Sequence, residues 1–241
     1  MITELEFKSL SAQGYNRIPL IAEAFADLET PLSLYLKLAY ASGGGKHSFL
    51  LESVVGGERF GRYSFIGLPA RTLLRANGFR TEVVTDGAVV EVNEGDPLAF
   101  IAEYQKRFKV ALRPGLPRFC GGLAGYFGYD AVRYIEPKLA ATQKSGGIDT
   151  PDILLLQCEE LAVIDNLSGR LYLIVYADPG EPEAFSKAKR RLAALGDKLH
   201  YSVTAPPVKR GQSHAVEREF AKDDYLAAVL KAKDYIAAGD M

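Results

Sequence analysis

The feature that most constrains the fold is a long apolar stretch at residues 153–178, "ILLLQCEELAVIDNLSGRLYLIVYAD". Two runs dominated by Leu, Ile and Val flank "NLSGR", which contains the typical turn residues Asn, Ser and Gly. We therefore predict a β-hairpin. Because nearly every position in both runs is apolar, we expect this hairpin in the middle of a sheet, covered on both faces.

A second hairpin is predicted at residues 81–92, "TEVVTDGAVVEV", where β-rich runs flank Asp86-Gly87. This dipeptide suits a type I′ turn, in which both central residues take a positive φ. Residues 121–130, "GGLAGYFGYD", indicate a strand interrupted by glycines, followed by a short helix that begins at Asp130.

Several segments carry helix signals. Thr30 and Asp96 are each suited to an N-cap, and each precedes a proline, which is favoured at the first helical position. Residues 181–200 show an amphipathic helical pattern. Because these helices and the strand-like runs do not follow a regular βαβ order, the sequence favours the α+β class. We predict mostly antiparallel sheets packed as a sandwich with outer helices.

The composition changes towards the end of the chain. Residues 203–216 are rich in proline, glycine and basic residues and are predicted to be a linker. Residues 221–240, "AKDDYLAAVLKAKDYIAAGD", then indicate a helix that stops at Gly239. This organisation divides the sequence into residues 1–202, the linker 203–216 and a helical segment 217–241.

The charge balance and the apolar pattern narrow the class of protein. The 29 Lys and Arg residues and 30 Asp and Glu residues give a formal net charge of -1, so we expect neither nucleic acid nor an anionic membrane as partner. The first twenty residues lack the apolar block of a secretory signal, and no run approaches the ~20 apolar residues of a membrane-spanning helix. Two cysteines do not make a disulfide framework. We expect a soluble, cytoplasmic protein.

Isolated histidines and cysteines give no sign of a metal site or a nucleophile. His47, His200 and His214 lie far apart, without metal-ligand spacing, and are expected at the surface. Cys120 and Cys158 lie in apolar surroundings and outside any C-x-x-C pair, so both are expected to be buried and inert.

Two further motifs suggest chemistry only weakly. Glu159 and Glu160 follow a strand-like run, but neighbours on a strand point to opposite faces, so we do not expect their carboxylates to share a site. The glycines of residues 121–130 lack the G-x-G-x-x-G spacing, and Asp130 would repel a phosphate at the start of the following helix. Bulges or close backbone packing explain these glycines better.

Residues 48–67, "SFLLESVVGGERFGRYSFIG", are more informative. An amino-acid ligand needs an acceptor for its ammonium group and a donor for its carboxylate at the lip of an apolar pocket. Glu52 would supply the acceptor, and Ser53 or Arg62 the donor. The alternative is an ordinary strand end in solvent. Because no nucleophile, base or metal ligand accompanies these residues, the pattern indicates binding and not catalysis.

Four segments resemble a known family. "TPLSLYLKLA", "SFLLESVVGGERFGRYSFIG" and "GGLAGYFGYD" closely resemble the N-terminal part of anthranilate synthase component I, and "DYLAAVLKAKDYIAAGD" resembles the helix that opens its chorismate-utilising region. The resemblance covers nearly the whole chain. It implies that residues 1–202 form an effector-binding, regulatory region and that residues 217–241 hold the first helix of a chorismate-binding catalytic region.

The resemblance also implies an activity for the complete subunit. In that family it is a lyase of tryptophan biosynthesis that converts chorismate, with ammonia or nitrogen from glutamine, to anthranilate and pyruvate, using Mg2+. A glutamine amidotransferase, component II, supplies the nitrogen, and L-tryptophan is the feedback inhibitor. The catalytic and metal-binding residues are implied to lie in the C-terminal part, so this chain alone is expected to be inactive.

The family's tryptophan site uses a Leu-Leu-Glu-Ser motif, which falls here on Leu50, Leu51, Glu52 and Ser53. The resemblance implies that Ser53, Glu52 and Leu51 bind the effector. A basic residue soon after the motif is also implied, for which Arg62 is the best match and Arg59 the alternative.

Two other functions stay open at this point. One is component I of aminodeoxychorismate synthase, a folate-pathway enzyme, against which the block at residues 48–67 argues. The other is a stand-alone amino-acid-binding module without an enzymatic context.

Overall fold

The computed structural model describes residues 1–52, 61–136, 138–139, 149–203, 205–207, 211, 215, 218 and 220–240. The chain divides into two compact units, Met1–Ala205 and Pro206–Met241. The predicted linker, residues 203–216, spans this boundary and lies partly outside the described residues. The assignment of roles to residues 1–202 and 217–241 stays a prediction.

The first unit combines helices with β-strands. Its α-helices are α1 (Glu4–Ala12), α2 (Pro31–Leu38), α3 (Pro97–Lys106) and α4 (Ala184–Leu199). Short 3-10 helices span Tyr40–Ser42 and Tyr129–Tyr134. Its strands are β1 (Ile18–Phe25), β2 (Phe49–Leu51), β3 (Tyr63–Gly67), β4 (Thr72–Asn77), β5 (Arg80–Thr85), β6 (Ala88–Glu94), β7 (Gly122–Phe127), β8 (Ile153–Cys158), β9 (Glu160–Asp165) and β10 (Arg170–Ala177).

Within the described residues these strands form two five-stranded antiparallel sheets. Sheet 1 has the order β1-β10-β9-β3-β2, and sheet 2 has the order β6-β5-β4-β8-β7. The prediction of an α+β fold with antiparallel sheets and outer helices is confirmed.

Three apolar clusters hold the layers together. Between the sheets, Leu161 and Ile174 of sheet 1 share a cluster with Leu73 and Leu156 of sheet 2. Helices α1, α2 and α4 cover the other face of sheet 1, where the buried side chains include Leu20, Leu34, Leu173 and Leu192. Helix α3 covers sheet 2, with a cluster that includes Leu74, Ile101, Tyr104 and Leu155. The central strands of each sheet thus bury both of their faces, as a layered domain requires, whereas the outer strands β6 and β7 of sheet 2 contain no buried residue.

Local sequence signals determine several element boundaries. The backbone N–H of Ser33 donates to Thr30 Oγ1 at 3.0 Å, and that of Leu98 donates to Asp96 Oδ1 at 2.9 Å. These bonds satisfy donors that the first turn of a helix leaves free. Between β5 and β6, Asp86 and Gly87 have φ values of 51° and 85°, as a type I′ turn requires.

The long apolar stretch differs from its prediction in one respect. β9 and β10 form the predicted hairpin and occupy the interior of sheet 1. The first run, however, is divided between the sheets: β8 pairs with β4 and β7 in sheet 2, and β9 begins at Glu160 in sheet 1. The chain therefore passes from one sheet to the other at Glu159. The apolar character of this run indicates that β8 and β9 are both buried, but it does not indicate which sheet each strand joins.

The second unit contains helix α5 (Lys222–Ala238). It ends at Gly239, whose φ of 82° is the left-handed conformation typical of a helix C-terminus. None of the described side chains of α5 is buried, and its exposed apolar residues include Leu226, Val229, Leu230 and Ile236.

Candidate functional site

The predicted effector motif begins on the last residues of β2. Leu50 packs against the helix-covered core of sheet 1, whereas Leu51 is 56% exposed, because successive strand residues point to opposite faces. Glu52 follows the strand and is exposed. Among the described residues, no hydrogen bond or ion pair engages its carboxylate. Ser53 and Arg59 lie outside the described residues.

Arg62 lies just before β3 and is engaged by a buried acid. Its Nε donates to Asp165 Oδ1 at 3.2 Å and its Nη2 to Asp165 Oδ2 at 2.8 Å, a bidentate pair. The Asp165 side chain is 3% exposed and that of Arg62 is 42% exposed. The guanidinium also lies 5.0 Å from the centre of the Tyr63 ring. Arg62 therefore stays accessible to solvent while the buried Asp165 carboxylate fixes its orientation.

The ion pair shifts both titrations in the expected directions. The hydrogen bonds from Arg62 are the main reason that the pKa of Asp165 is lowered, and those bonds likewise raise the pKa of Arg62. Both groups are charged at neutral pH, so Asp165 offsets the positive charge of Arg62.

The pairing of β2 with β3 places the two ends of the motif side by side. The strands run antiparallel with Leu51 opposite Phe65. Glu52 therefore leaves β2 at the same end at which Arg62 enters β3. The register therefore places Glu52 and Arg62 at one end of sheet 1, where Leu51 is the last residue of β2.

Glu159 and Glu160 occupy a different region and correct a prediction. Both line one cavity of about 750 Å³ in the first unit. The expectation that they would not share a site is wrong, because the chain changes sheets at Glu159 and the alternation of a single strand does not apply. Arg17 lies 3.3 Å from Glu159 and 2.5 Å from Asp178, and Arg191 donates to Glu160 at 2.7 and 2.6 Å. Each glutamate is thus paired with an arginine, which suits a structural role better than acid–base chemistry.

A second, mostly apolar cavity of about 300 Å³ adjoins the start of β7. Cys120 and Cys158 line it, and both are buried and free, as predicted. Burial raises the pKa of Cys158 to about 12, so its thiol stays protonated and unreactive. The hydroxyl of Tyr176 donates to Cys120 Sγ at 3.5 Å. A Cβ at Gly121 would lie 2.5 Å from the Tyr176 ring, so this glycine allows close packing, as predicted.

The histidines do not converge. His47 is half-buried, and this burial is the main reason that its pKa is lowered, while His200 is exposed. His214 lies outside the described residues. Across the part of the chain that the structure describes, no group of three or more His, Cys, Asp or Glu side chains is placed to hold a metal ion.

The described part of the chain also contains no helix long and apolar enough to cross a membrane.

Comparison of the sequence with known proteins identifies the family to which the chain belongs. The family model described as chorismate binding enzyme matches residues 56–241. The chain belongs to the chorismate-binding enzyme family. It is 50% identical to anthranilate synthase component 1 of Neisseria meningitidis serogroup C, over 100% of this chain and 49% of that protein. It is 47% identical to anthranilate synthase component 1 of Pseudomonas putida, over 98% of this chain and 48% of that protein.

A solved structure shows a similar fold. The crystal structure of anthranilate synthase component I from Streptococcus pneumoniae TIGR4 matches 90% of this chain and 45% of that chain, with a TM-score of 0.50 and 22% identity. The chain spans about half the length of the curated relatives described above and corresponds to an N-terminal part of them. The predicted resemblance to anthranilate synthase component I is confirmed.

The sequence patterns do not indicate two residues beside Arg62. They predict only that Asp165 ends a strand and that Asn166 starts a turn, although both contact the segment that leads into β3. The available signal was an acid that ends an apolar strand, Asp165, and such an acid is rarely buried without a cation.

Proposed function

We propose that this chain is the N-terminal, L-tryptophan-binding part of an anthranilate synthase component I. The observation that carries the proposal is the identity of 50% to a protein of that name across the whole chain. The complete subunit would be a lyase of tryptophan biosynthesis that converts chorismate and ammonia, or nitrogen from glutamine, to anthranilate and pyruvate. The chain by itself would be inactive.

The proposed effector site lies at the paired ends of β2 and β3. Glu52 would accept hydrogen bonds from the ammonium group of L-tryptophan, and its carboxylate has no other partner among the described residues. Ser53 and Arg62 would donate to the effector carboxylate, and Leu51 would contact the indole ring. The exposure of Leu51 and Glu52 supports this assignment, because a binding residue must be reachable.

The regulation would follow from coupling between two parts of the complete subunit. An effector that binds one arrangement of those parts more tightly shifts the population towards it. If that arrangement is less competent for chorismate, L-tryptophan inhibits the reaction without occupying the active site.

The remaining components of the reaction are assigned to the complete enzyme. A glutamine amidotransferase subunit would supply ammonia, chorismate would be the substrate, and Mg2+ would be the cofactor. As the family resemblance implies, the magnesium ligands would lie in the C-terminal part of the complete subunit. We place the enzyme in the cytoplasm.

Substitution of Ser53 in the full-length gene product tests the effector site. We expect Ser53→Arg to abolish inhibition by L-tryptophan and largely preserve turnover of chorismate, because the large cation fills the site without touching the catalytic part. The exposed Ser9 of α1 provides a matched control, and Ser9→Arg should leave inhibition intact. Inhibition retained by Ser53→Arg would contradict the assignment.

Two further measurements separate the alternatives. Identification of the product formed from chorismate distinguishes anthranilate from aminodeoxychorismate, and the latter would place the chain in folate synthesis. Calorimetry of the 241-residue chain with L-tryptophan should show weak binding or none. Micromolar affinity would instead favour a self-sufficient amino-acid-binding module.

A further inference from the structure

We propose that Asp165 and Asn166 position Arg62 for the effector and thereby set the sensitivity of the protein to it. This inference rests on the proposed effector site. Both residues lie at the end of β9, which pairs with β3 so that Asp165 is opposite Tyr63. The turn between β9 and β10 is therefore placed directly beside the segment that contains Arg62.

Asp165 fixes the side chain of Arg62. It is 2% exposed and accepts both Arg62 bonds as well as one from the backbone N–H of Leu167 at 3.1 Å. Two parallel hydrogen bonds determine the plane of a guanidinium, which a single contact does not. Because three hydrogen bonds hold the Asp165 carboxylate, it is a rigid partner for Arg62.

Asn166 fixes the backbone on either side of Arg62. Its N–H donates to the Arg62 carbonyl at 2.7 Å, and its Nδ2 donates to the Gly61 carbonyl and to Ser64 Oγ, each at 3.1 Å. Ser64 is fully buried. Together, Asp165 and Asn166 hold residues 61–64 through both backbone and side chains.

The arrangement leaves part of Arg62 available to a ligand. Nε and Nη2 face Asp165, and among the described residues no acceptor engages Nη1. The side chain is 42% exposed. A free arginine loses rotamer freedom when it binds a carboxylate, whereas a guanidinium already held in place loses less. Asp165 is thus a positioning residue that makes Arg62 a better donor for the effector carboxylate.

The test measures L-tryptophan inhibition of the full-length gene product. Asp165→Asn keeps the shape of the side chain and removes its charge. We expect inhibition to require about tenfold more L-tryptophan, because a factor of ten corresponds to the loss of about one hydrogen bond to a charged group. The kcat and KM for chorismate should stay within about twofold of the wild type, because the proposed role of Asp165 concerns the effector and not chorismate.

A double-mutant cycle separates positioning from general stability. Arg62→Lys keeps the positive charge but removes the planar guanidinium that makes two parallel hydrogen bonds. In this variant, the further substitution Asp165→Asn should weaken inhibition by no more than about twofold. The matched control is Glu23→Gln, which removes a partner of Arg170 at 3.4 Å in the same sheet and should leave inhibition unchanged. Equal effects of Asp165→Asn in both backgrounds would overturn the inference, because a structural loss does not depend on the Arg62 fork.

Other outcomes distinguish this inference from the proposed function. Asn166→Ala keeps the ion pair between Arg62 and Asp165 and should weaken inhibition about threefold. This variant tests the positioning role if Asp165→Asn does not fold. A wild-type enzyme that L-tryptophan does not inhibit would overturn both proposals. An inhibited wild type with unchanged Asp165→Asn and Asn166→Ala variants would overturn the positioning role alone.

Discussion

Gly125 provides a sharp test of how the glycine-rich strand β7 is built. A Cβ added at this position would lie 1.9 Å from the carbonyl oxygen of Leu154 on the neighbouring strand β8. Real Cβ atoms essentially never approach closer than 3.0 Å, so Gly125→Ala requires a movement of about 1 Å. The obstacle is backbone, which cannot rotate away as the end of a side chain can.

The loss in free energy of unfolding follows from the hydrogen bonds between β7 and β8 that the substitution disturbs. Moving β7 by about 1 Å would weaken two hydrogen bonds to β8, at about 1 kcal/mol each. Overpacking adds about 1–3 kcal/mol, whereas replacing a strand glycine by alanine returns about 0.5–1 kcal/mol. We therefore expect Gly125→Ala to lower the free energy of unfolding by about 2–4.5 kcal/mol. For a unit of this size the Tm should fall by roughly 4–18 °C.

Urea denaturation of the 241-residue chain, followed by circular dichroism, measures this change. The matched control is Gly196→Ala in helix α4, where a Cβ meets nothing within 4 Å. This control should raise the free energy of unfolding by about 0.5–1 kcal/mol, because alanine is the better helix former. A Gly125→Ala variant as stable as the wild type would refute the close contact between β7 and β8.

The remaining predictions concern two ion pairs. Lys37 and Glu29 form an ion pair whose side chains are only 9% and 11% exposed. Urea denaturation should show that Glu29→Gln lowers the free energy of unfolding by about 3 kcal/mol, because the buried ammonium loses its counter-charge and keeps, among the described residues, only its bond to the Leu199 carbonyl. A loss below about 1 kcal/mol would contradict this. Asp165, whose pKa is lowered mainly by Arg62, should stabilise the fold above its unfolded pKa of about 4 and lose this contribution as the pH falls through the folded pKa. Asp165→Asn should therefore flatten the stability–pH profile as the pH falls below the unfolded pKa of about 4, and an unchanged slope would count against the pair.

Features determined by neighbouring residues could be predicted from the sequence. The caps at Thr30 and Asp96 and the turn at Asp86-Gly87 depend on interactions within three or four residues, and all three have the expected geometry. The short helix near Asp130 is less accurate. It is a 3-10 helix that starts at Tyr129, with no side-chain cap. A terminal position moves easily by one residue, since helix ends tolerate several hydrogen-bond patterns.

Features that join distant segments could not be predicted in this way. The passage between sheets at Glu159 depends on which strands recruit each half of an apolar run. The partners of Glu159 and Glu160 are equally remote, since Arg17 comes from the start of β1 and Arg191 from α4. Single-strand periodicity carries no information on such contacts. For that reason the shared cavity of the two glutamates was not foreseen.

The same limitation applies to the candidate effector site, and it changes the chemistry expected there. The sequence indicates Arg62 only as a donor for a carboxylate, and it does not show that the charge of Arg62 is offset by the buried Asp165. With the exposed carboxylate of Glu52 included, the described charges beside the proposed site sum to one net negative charge. A simple aromatic acid would meet no net attraction, whereas the ammonium of an amino acid adds a favourable contact with Glu52. On the proposed site, Asp165 therefore favours zwitterions over acids while it holds the donor that both would use.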